Sequence, residues 1–174
     1  LKVRLPHVLD WLAANKPDPP CLQERKLEDK AFPVAELEAA GYHAVFIGQK
    51  TYNGVAILSP QPIDEASVVR NIPGFEDEQK RIIAATISGV RVVCGYFPNG
   101  QAVGSDKFEY KLRWLAALTD WLRAELKSHE RLVLAGDFNI APEDRDAHPD
   151  WKDEIHVSEP ERAAFQGFQA LGLV

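Results

Sequence analysis

An α/β fold built as a mixed-sheet sandwich is what this sequence predicts, on three observations. Apolar runs of strand length alternate with helical patterns, as in folds that lay helices on sheets. The β-branched runs 82–87 and 90–95 are separated only by Ser88-Gly89, a two-residue hairpin signal foreign to a purely parallel sheet. The 174 residues, 45% of them hydrophobic, suffice for one sizeable core and contain no linker-like stretch, so a single domain is expected.

Leu5, Val8, Leu9 and Leu12 recur at helical spacing, and the pattern stops at Asn15 before Pro17. A strand is expected next, delivering Glu24 to its end. Pro19 and Pro20 at its entry supply no N–H and confine it to a few residues or to an edge. Residues 34–40 predict a helix stopped by Gly41, and 43–48 and 54–58 predict two strands joined by the polar turn 49–53. Residues 59–78, rich in proline and acids, read as a surface connection. The hairpin follows, and past its second strand lie Tyr96 and Asn99. Phe108, Leu112, Leu115, Leu118, Leu122 and Leu126 mark a helix of about five to six turns, with Trp114 and Trp121 widening its apolar face. Lys107, Lys111 and Arg113 around its start read as a solvated face. Residues 132–135 are an apolar run of the buried-strand kind, broken by Gly136 just before Asp137 and Asn139. In an extended segment those two side chains share one side while Phe138 points into the core. Taken alone, G-D-x-N is equally an Asx turn closing a strand. Residues 143–153 form a charged loop with His148. Ser158 and Glu161 then make a capping box for a helix with Pro160 in its first turn and Phe165, Phe168 and Leu171 on its apolar face.

Composition narrows the function. A net charge of −6 repels a polyanion, so nucleic-acid binding needs a local basic strip or a bridging cation. Cys21 and Cys94 each sit in an apolar run and read as buried reduced thiols of a cytosolic protein. No run reaches the ~18 apolar residues of a membrane span. The chain has no methionine and opens directly in a helical pattern, so its natural N-terminus is expected upstream. The five histidines lack metal-ligand spacing, and there is no P-loop, G-x-S-x-G or zinc pattern. What remains is oxygen-rich. Glu24, Asp137 and Asn139 suit a hard cation such as Mg²⁺, held by one or two carboxylates plus water, which would neutralise a phosphate and polarise its P–O bond. Tyr96 would stabilise a phosphate oxygen or donate a proton. Singly, Glu24 is equally an exposed acid after a strand, and Tyr96 half-buried packing.

Five segments carry a further reading: C-L-Q-E-x-K at 21–26, Y-N-G-V-A-I-L-S at 52–59, G-Y-F-P-N-G at 95–100, K-x-x-x-K-L-R-W at 107–114 and G-D-F-N-I-A-P at 136–142. In order and spacing they resemble bacterial exodeoxyribonuclease III, of the exonuclease–endonuclease–phosphatase superfamily, over almost the whole chain. The resemblance implies a four-layer sandwich of mixed β-sheets flanked by helices, incomplete here. It implies a single domain over 1–174 that lacks the first strand and the C-terminal portion. The implied protein is a Mg²⁺- or Mn²⁺-dependent phosphodiesterase of base-excision repair with 3′→5′ exonuclease, 3′-phosphatase and apurinic/apyrimidinic endonuclease activities. It would be a cytoplasmic monomer acting on double-stranded DNA with abasic sites or 3′ ends. By the same resemblance Glu24 would bind the metal and Tyr96 would face the scissile phosphate. Asp137 would orient or deprotonate the attacking water or protonate the leaving oxygen, sharing the metal with Asn139, which would also hold the phosphate. Lys26, Tyr52 and Asn99 would lie along the DNA groove.

The sequence departs from that pattern in several places. The family's opening W-N-V-N strand, its W-x-Y-R segment and its closing D-H pair are missing, so the 174 residues alone are expected to be inactive. Pro19-Pro20 replaces an apolar pair, and Arg25 stands where a small hydroxyl residue is usual. Two other readings stay open: a superfamily phosphodiesterase acting on a phospholipid or an inositol phosphate, and a non-catalytic remnant that binds or packs.

Overall fold

Ser88 and Gly89 both take positive φ, 49° and 75°, as a type I′ turn requires, and the expected hairpin closes around them with Ile87 opposite Val90. The computed structural model describes residues 1–174, apart from the side chain of Lys2, as two compact units. The first comprises Leu1–Tyr96 and His129–Asp137, and the second Phe97–Ser128 and Phe138–Val174.

All the strands belong to the first unit. β1 (Cys21–Leu22), β2 (His43–Ile47) and β3 (Val55–Ser59) form an antiparallel sheet in the order β1-β3-β2. The prolines before β1 act as expected, leaving a two-residue edge strand. β4 (Val69–Arg70), β5 (Ile82–Ile87), β6 (Val90–Tyr96) and β7 (Leu132–Asp137) form a mixed sheet in that order, antiparallel except for the parallel β6–β7 pair. The two sheets pack face to face, with Val45, Ile47, Val55 and Ile57 of one against Ile83, Ala85, Ile87, Val92 and Cys94 of the other. On the other face of the first sheet, Ala56 and Leu58 meet Leu12 of α1 (Leu5–Asn15), Leu37 of α2 (Val34–Ala39), Phe32 and Tyr42. Strand β3 is therefore buried on both faces, which explains its unbroken apolar run.

In the second unit, α3 (Asp106–Ser128) buries Phe108, Lys111, Trp114, Leu115, Leu118, Trp121 and Leu122, one stripe at helical period. α4 (Glu159–Ala170) starts at the expected capping box of Ser158 and Glu161. Phe97 is the centre of an aromatic core, its ring centroid 4.5 Å from Phe138, 5.0 Å from Trp114 and 6.1 Å from Phe168.

Four expectations change. The 59–78 connection is not all surface loop, since Val69–Arg70 pairs with β5 and Ile72 is buried. β7 is no buried strand: it is the edge of its sheet, and Val133 is 49% exposed. The β ladder ends at Asp137, and Asn139 turns left-handed with φ 49°, so the two-residue alternation does not carry from one to the other. Lys111, read as part of a solvated face, is fully buried.

Candidate active site

The segment that carries Glu24 is held by its unusual neighbour. Glu24 and Lys26 both take left-handed φ, 49° and 52°, which costs energy for residues with a Cβ and has to be imposed by the surroundings. Arg25 between them is 1% exposed. Its guanidinium lies 4.5 Å from the ring centroid of Phe32 and 5.2 Å from that of Phe46, and its Nη2 donates to Asp29 at 3.1 Å. Among the described residues its Nε and Nη1 have no hydrogen-bond partner, so the two rings carry much of its stabilisation. Gly48 leaves room for it, because a Cβ there would stand 2.1 Å from Nη2. Backbone bonds from Arg25 N to Gly54 O (3.3 Å) and from Lys26 N to Asn53 O (3.1 Å) tie the segment to the 49–54 turn. Buried Asn53 braces that turn by donating to Gln49 Oε1 at 3.1 Å. A long buried cation thus anchors the segment.

Tyr96 and Asp137 end adjacent parallel strands as direct register partners. The rung before them is Gly95 and Gly136, and it must be glycine at 136: a Cβ there would lie 1.9 Å from Gly95 O. Tyr96 Oη donates to Glu24 Oε1 at 2.5 Å, while Lys26 Nζ stands 3.4 Å from Oε2. Arg81 completes the group. Its guanidinium lies 4.9 Å over the Tyr96 ring and donates to Tyr96 O at 3.1 Å. The Tyr96 hydroxyl, helped by the Lys26 charge, holds the Glu24 carboxyl below its ordinary pKa. Partial burial and the contact with Glu24, with a smaller push from Asp137, raise the Tyr96 phenol to about 12. At neutral pH the site therefore holds an ionised Glu24 beside a protonated Tyr96, with Asp137 on the next strand.

Asn99 and Asn139 lie together in the second unit. Asn139 Nδ2 donates to Phe97 O at 3.0 Å. Asn99 Oδ1 accepts from Gln101 N at 3.0 Å, which turns its Nδ2 toward His156 Nε2, also 3.0 Å away. That pairing makes Nε2 the acceptor and puts the ring proton of a neutral His156 on Nδ1. Lys111 Nζ donates to Asn139 O at 2.6 Å and to Asn99 O at 3.2 Å.

Of the residues expected from sequence, the structure brings Glu24, Lys26, Tyr96 and Asp137 into one group, and Asn99 and Asn139 into another. Tyr52 is 67% exposed on the 49–53 turn. Arg81 escaped the sequence reading, which named Lys111, His156, Arg25 and Asn53 without the roles the structure gives them. Basic residues beside strands and helix starts look solvated until the fold is known, and His156 has no flanking pattern. Among the described residues no three His, Cys, Asp or Glu side chains group as a metal cage. The donor set suits a hard cation instead: Glu24 is ionised with its side chain 49% exposed, Asp137 is exposed, and Mg²⁺ is commonly held by one or two carboxylates completed by water and phosphate oxygens.

A sandwich of two sheets ending in Glu24, Tyr96 and Asp137 has relatives. Residues 4–168 match the Endonuclease/Exonuclease/phosphatase family, and the chain belongs to that family. It is 38% identical over 151 residues to exodeoxyribonuclease III of Haemophilus influenzae, covering 81% of this chain and 55% of that protein. The chain spans about half the length of the curated relatives it matches. Among solved structures it superposes with a TM-score of 0.95 and 49% identity on the 3′ phosphatase NExo from Neisseria bound to a product DNA hairpin, covering 98% of this chain and 67% of that one. An AP endonuclease from Archaeoglobus fulgidus gives a TM-score of 0.90 at 38% identity, covering 99% of this chain and 67% of that one. These likenesses bear out the expected α/β sandwich of the exodeoxyribonuclease III kind.

Proposed function

We propose that this chain carries part of the active site of a DNA-repair phosphodiesterase of the exodeoxyribonuclease III kind. The observation that carries the reading is the Tyr96 hydroxyl on the Glu24 carboxylate, with Asp137 beside Tyr96 on the parallel strand. The similarity to a 3′ phosphatase bound to product DNA and to an AP endonuclease supports DNA as the substrate. Double-stranded DNA with abasic sites or 3′ ends is then the partner, met by a cytoplasmic monomer. No helix among the described residues is long and apolar enough to cross a membrane.

Glu24, with Asp137, would hold Mg²⁺ or Mn²⁺. That cation supplies charge neutralisation at the phosphate and a polarised P–O bond. Tyr96, protonated at neutral pH, donates to a phosphate oxygen once DNA competes for the hydroxyl that Glu24 holds. Asp137 orients the attacking water and takes its proton, or returns one to the leaving oxygen. Lys26 supplies positive charge for the DNA backbone, and Asn99, Asn139 and Tyr52 supply polar contacts. The test is turnover by a full-length version of the protein, with the 174 residues alone as the control expected to be inactive, of an abasic-site duplex, a 3′-phosphorylated duplex and an inositol phosphate, each with Mg²⁺, with Mn²⁺ and with chelator. Metal-dependent cleavage of the DNA substrates alone is expected. Preference for the inositol phosphate would reject the DNA assignment.

A further inference from the structure

The most costly feature of the second unit has no assigned purpose. Lys111 and Glu161 are both fully buried, and their ammonium and carboxylate form a close ion pair. Desolvating two charges offsets much of what their attraction returns, and apolar pairs of similar volume often replace such bridges at equal or better stability. Stability alone therefore gives little reason for a lysine here. Its hydrogen bonds give another. An ammonium has three N–H donors, and acceptors for it include Asn99 O, Asn139 O and the Glu161 carboxylate. The two carbonyls belong to separate loops, 97–101 and 138–141. Each loop presents one of the two asparagine amides, and the Asn139 side chain reaches across to Phe97 O. The lysine stem also packs against Gly100, where an added Cβ would stand 3.1 Å from Lys111 Cδ and 2.7 Å from Ile155 Cδ1. Glu161 is fixed in turn: its second oxygen accepts from Ser158 Oγ at 2.5 Å and from Ser158 N at 3.2 Å at the head of α4.

We propose that the Lys111–Glu161 pair is a positioning clamp that holds the Asn99 and Asn139 loops at a fixed separation from the start of α4. The use of those amides on DNA rests on the function proposed above; the clamp itself does not. An apolar pair would fill the same volume, but it could not hold two carbonyls from different loops. Lys111 and Glu161 touch no reacting atom and act only through the loops they order.

The decisive comparison is the double variant Lys111→Met/Glu161→Gln with Lys111→Met alone. The single variant leaves a buried carboxylate without its partner, and its melting temperature should fall sharply. The double variant removes both charges, while the amide oxygen introduced by Glu161→Gln can still accept from Ser158, so its melting temperature should return close to that of the parent. Amide exchange in 97–101 and 138–141 should nevertheless quicken about tenfold or more in the double variant, and in a full-length version KM for an abasic-site duplex should rise about tenfold with a smaller change in kcat. A double variant with parental loop exchange and KM would show a merely structural ion pair and overturn the clamp. Should the variants fail to fold, the parent protein decides by NMR. A slowly exchanging Lys111 ammonium with hydrogen-bond couplings to the carbonyl carbons of Asn99 and Asn139 supports the clamp, and an ammonium exchanging at solvent rates refutes it. Loop exchange that responds in a protein which does not engage DNA would keep the clamp and reject the DNA reading.

Discussion

At the scale of single residues, the contact that organises the first unit is Tyr96 on Glu24, which favours the carboxylate and the phenol together. The carboxyl pKa is depressed, so the stability it adds is full above the ordinary value near 4.5 and is lost as pH falls through the depressed value. The phenol pKa is raised, so its contribution is full below the ordinary value near 10 and is lost as pH climbs through about 12. Tyr96→Phe should therefore raise the Glu24 pKa toward its ordinary value, read by carboxyl carbon NMR, and remove the latest tyrosinate signal from an alkaline absorbance titration. A Glu24 titration unchanged by the substitution would mean that Lys26 and the backbone hold the carboxylate without help from the hydroxyl. Arg25 shows another consequence at this scale. Because its guanidinium fills the space over Gly48, and the chain on either side of it is left-handed, positions 25 and 48 are coupled.

Among the elements, the β6–β7 pair matters most, since it places Tyr96 and Asp137 side by side. Gly136→Ala would force a Cβ into the Gly95 carbonyl, at a φ of 142° that favours glycine, so the strands must part. The expected cost is about 1–3 kcal/mol, as for other overpacked sites, read as a lower urea midpoint. Activity should fall further than the stability loss explains, because the rung being opened adjoins the site. These elements were largely legible in the sequence. Apolar patterns and turn signals located the four α-helices and six of the seven strands, the hairpin among them, since most of those elements bury one clear face or both. The capping box at Ser158 and Glu161 was legible because it is local chemistry. What could not be read depends on pairing between distant segments. The apolar run of β7 says nothing of its place at a sheet edge, and the two-residue β4 has no pattern of its own. In the site, Glu24, Tyr96 and Asp137 showed as polar residues at strand ends. Lys111 did not, because a lysine on an amphipathic helix looks solvated until Glu161, fifty residues away, is seen to meet it.

For the whole molecule, the net charge of −6 has to be reconciled with the polyanionic substrate proposed above. On that proposal local cations and a bound metal would do this, and such binding is steeply salt-dependent. Lys26→Ala should weaken DNA binding and flatten the salt slope by about 0.9, the change expected when one fewer phosphate is neutralised, with kcat little changed. A slope identical to the parent's would remove Lys26 from the DNA-contacting set. The central claim is that Asp137 performs chemistry beside Tyr96 and does not merely close a strand. The measurement that tests it most directly is the turnover of Asp137→Asn, made in a full-length version of the protein, on an abasic-site duplex, set beside its affinity for the same DNA. The substitution keeps the size and hydrogen-bonding shape of the side chain but removes the group that carries a proton. The account predicts that kcat falls by about 10²–10⁴ with an essentially unchanged Kd. A kcat close to the parent's, or equal losses in kcat and affinity, would contradict it.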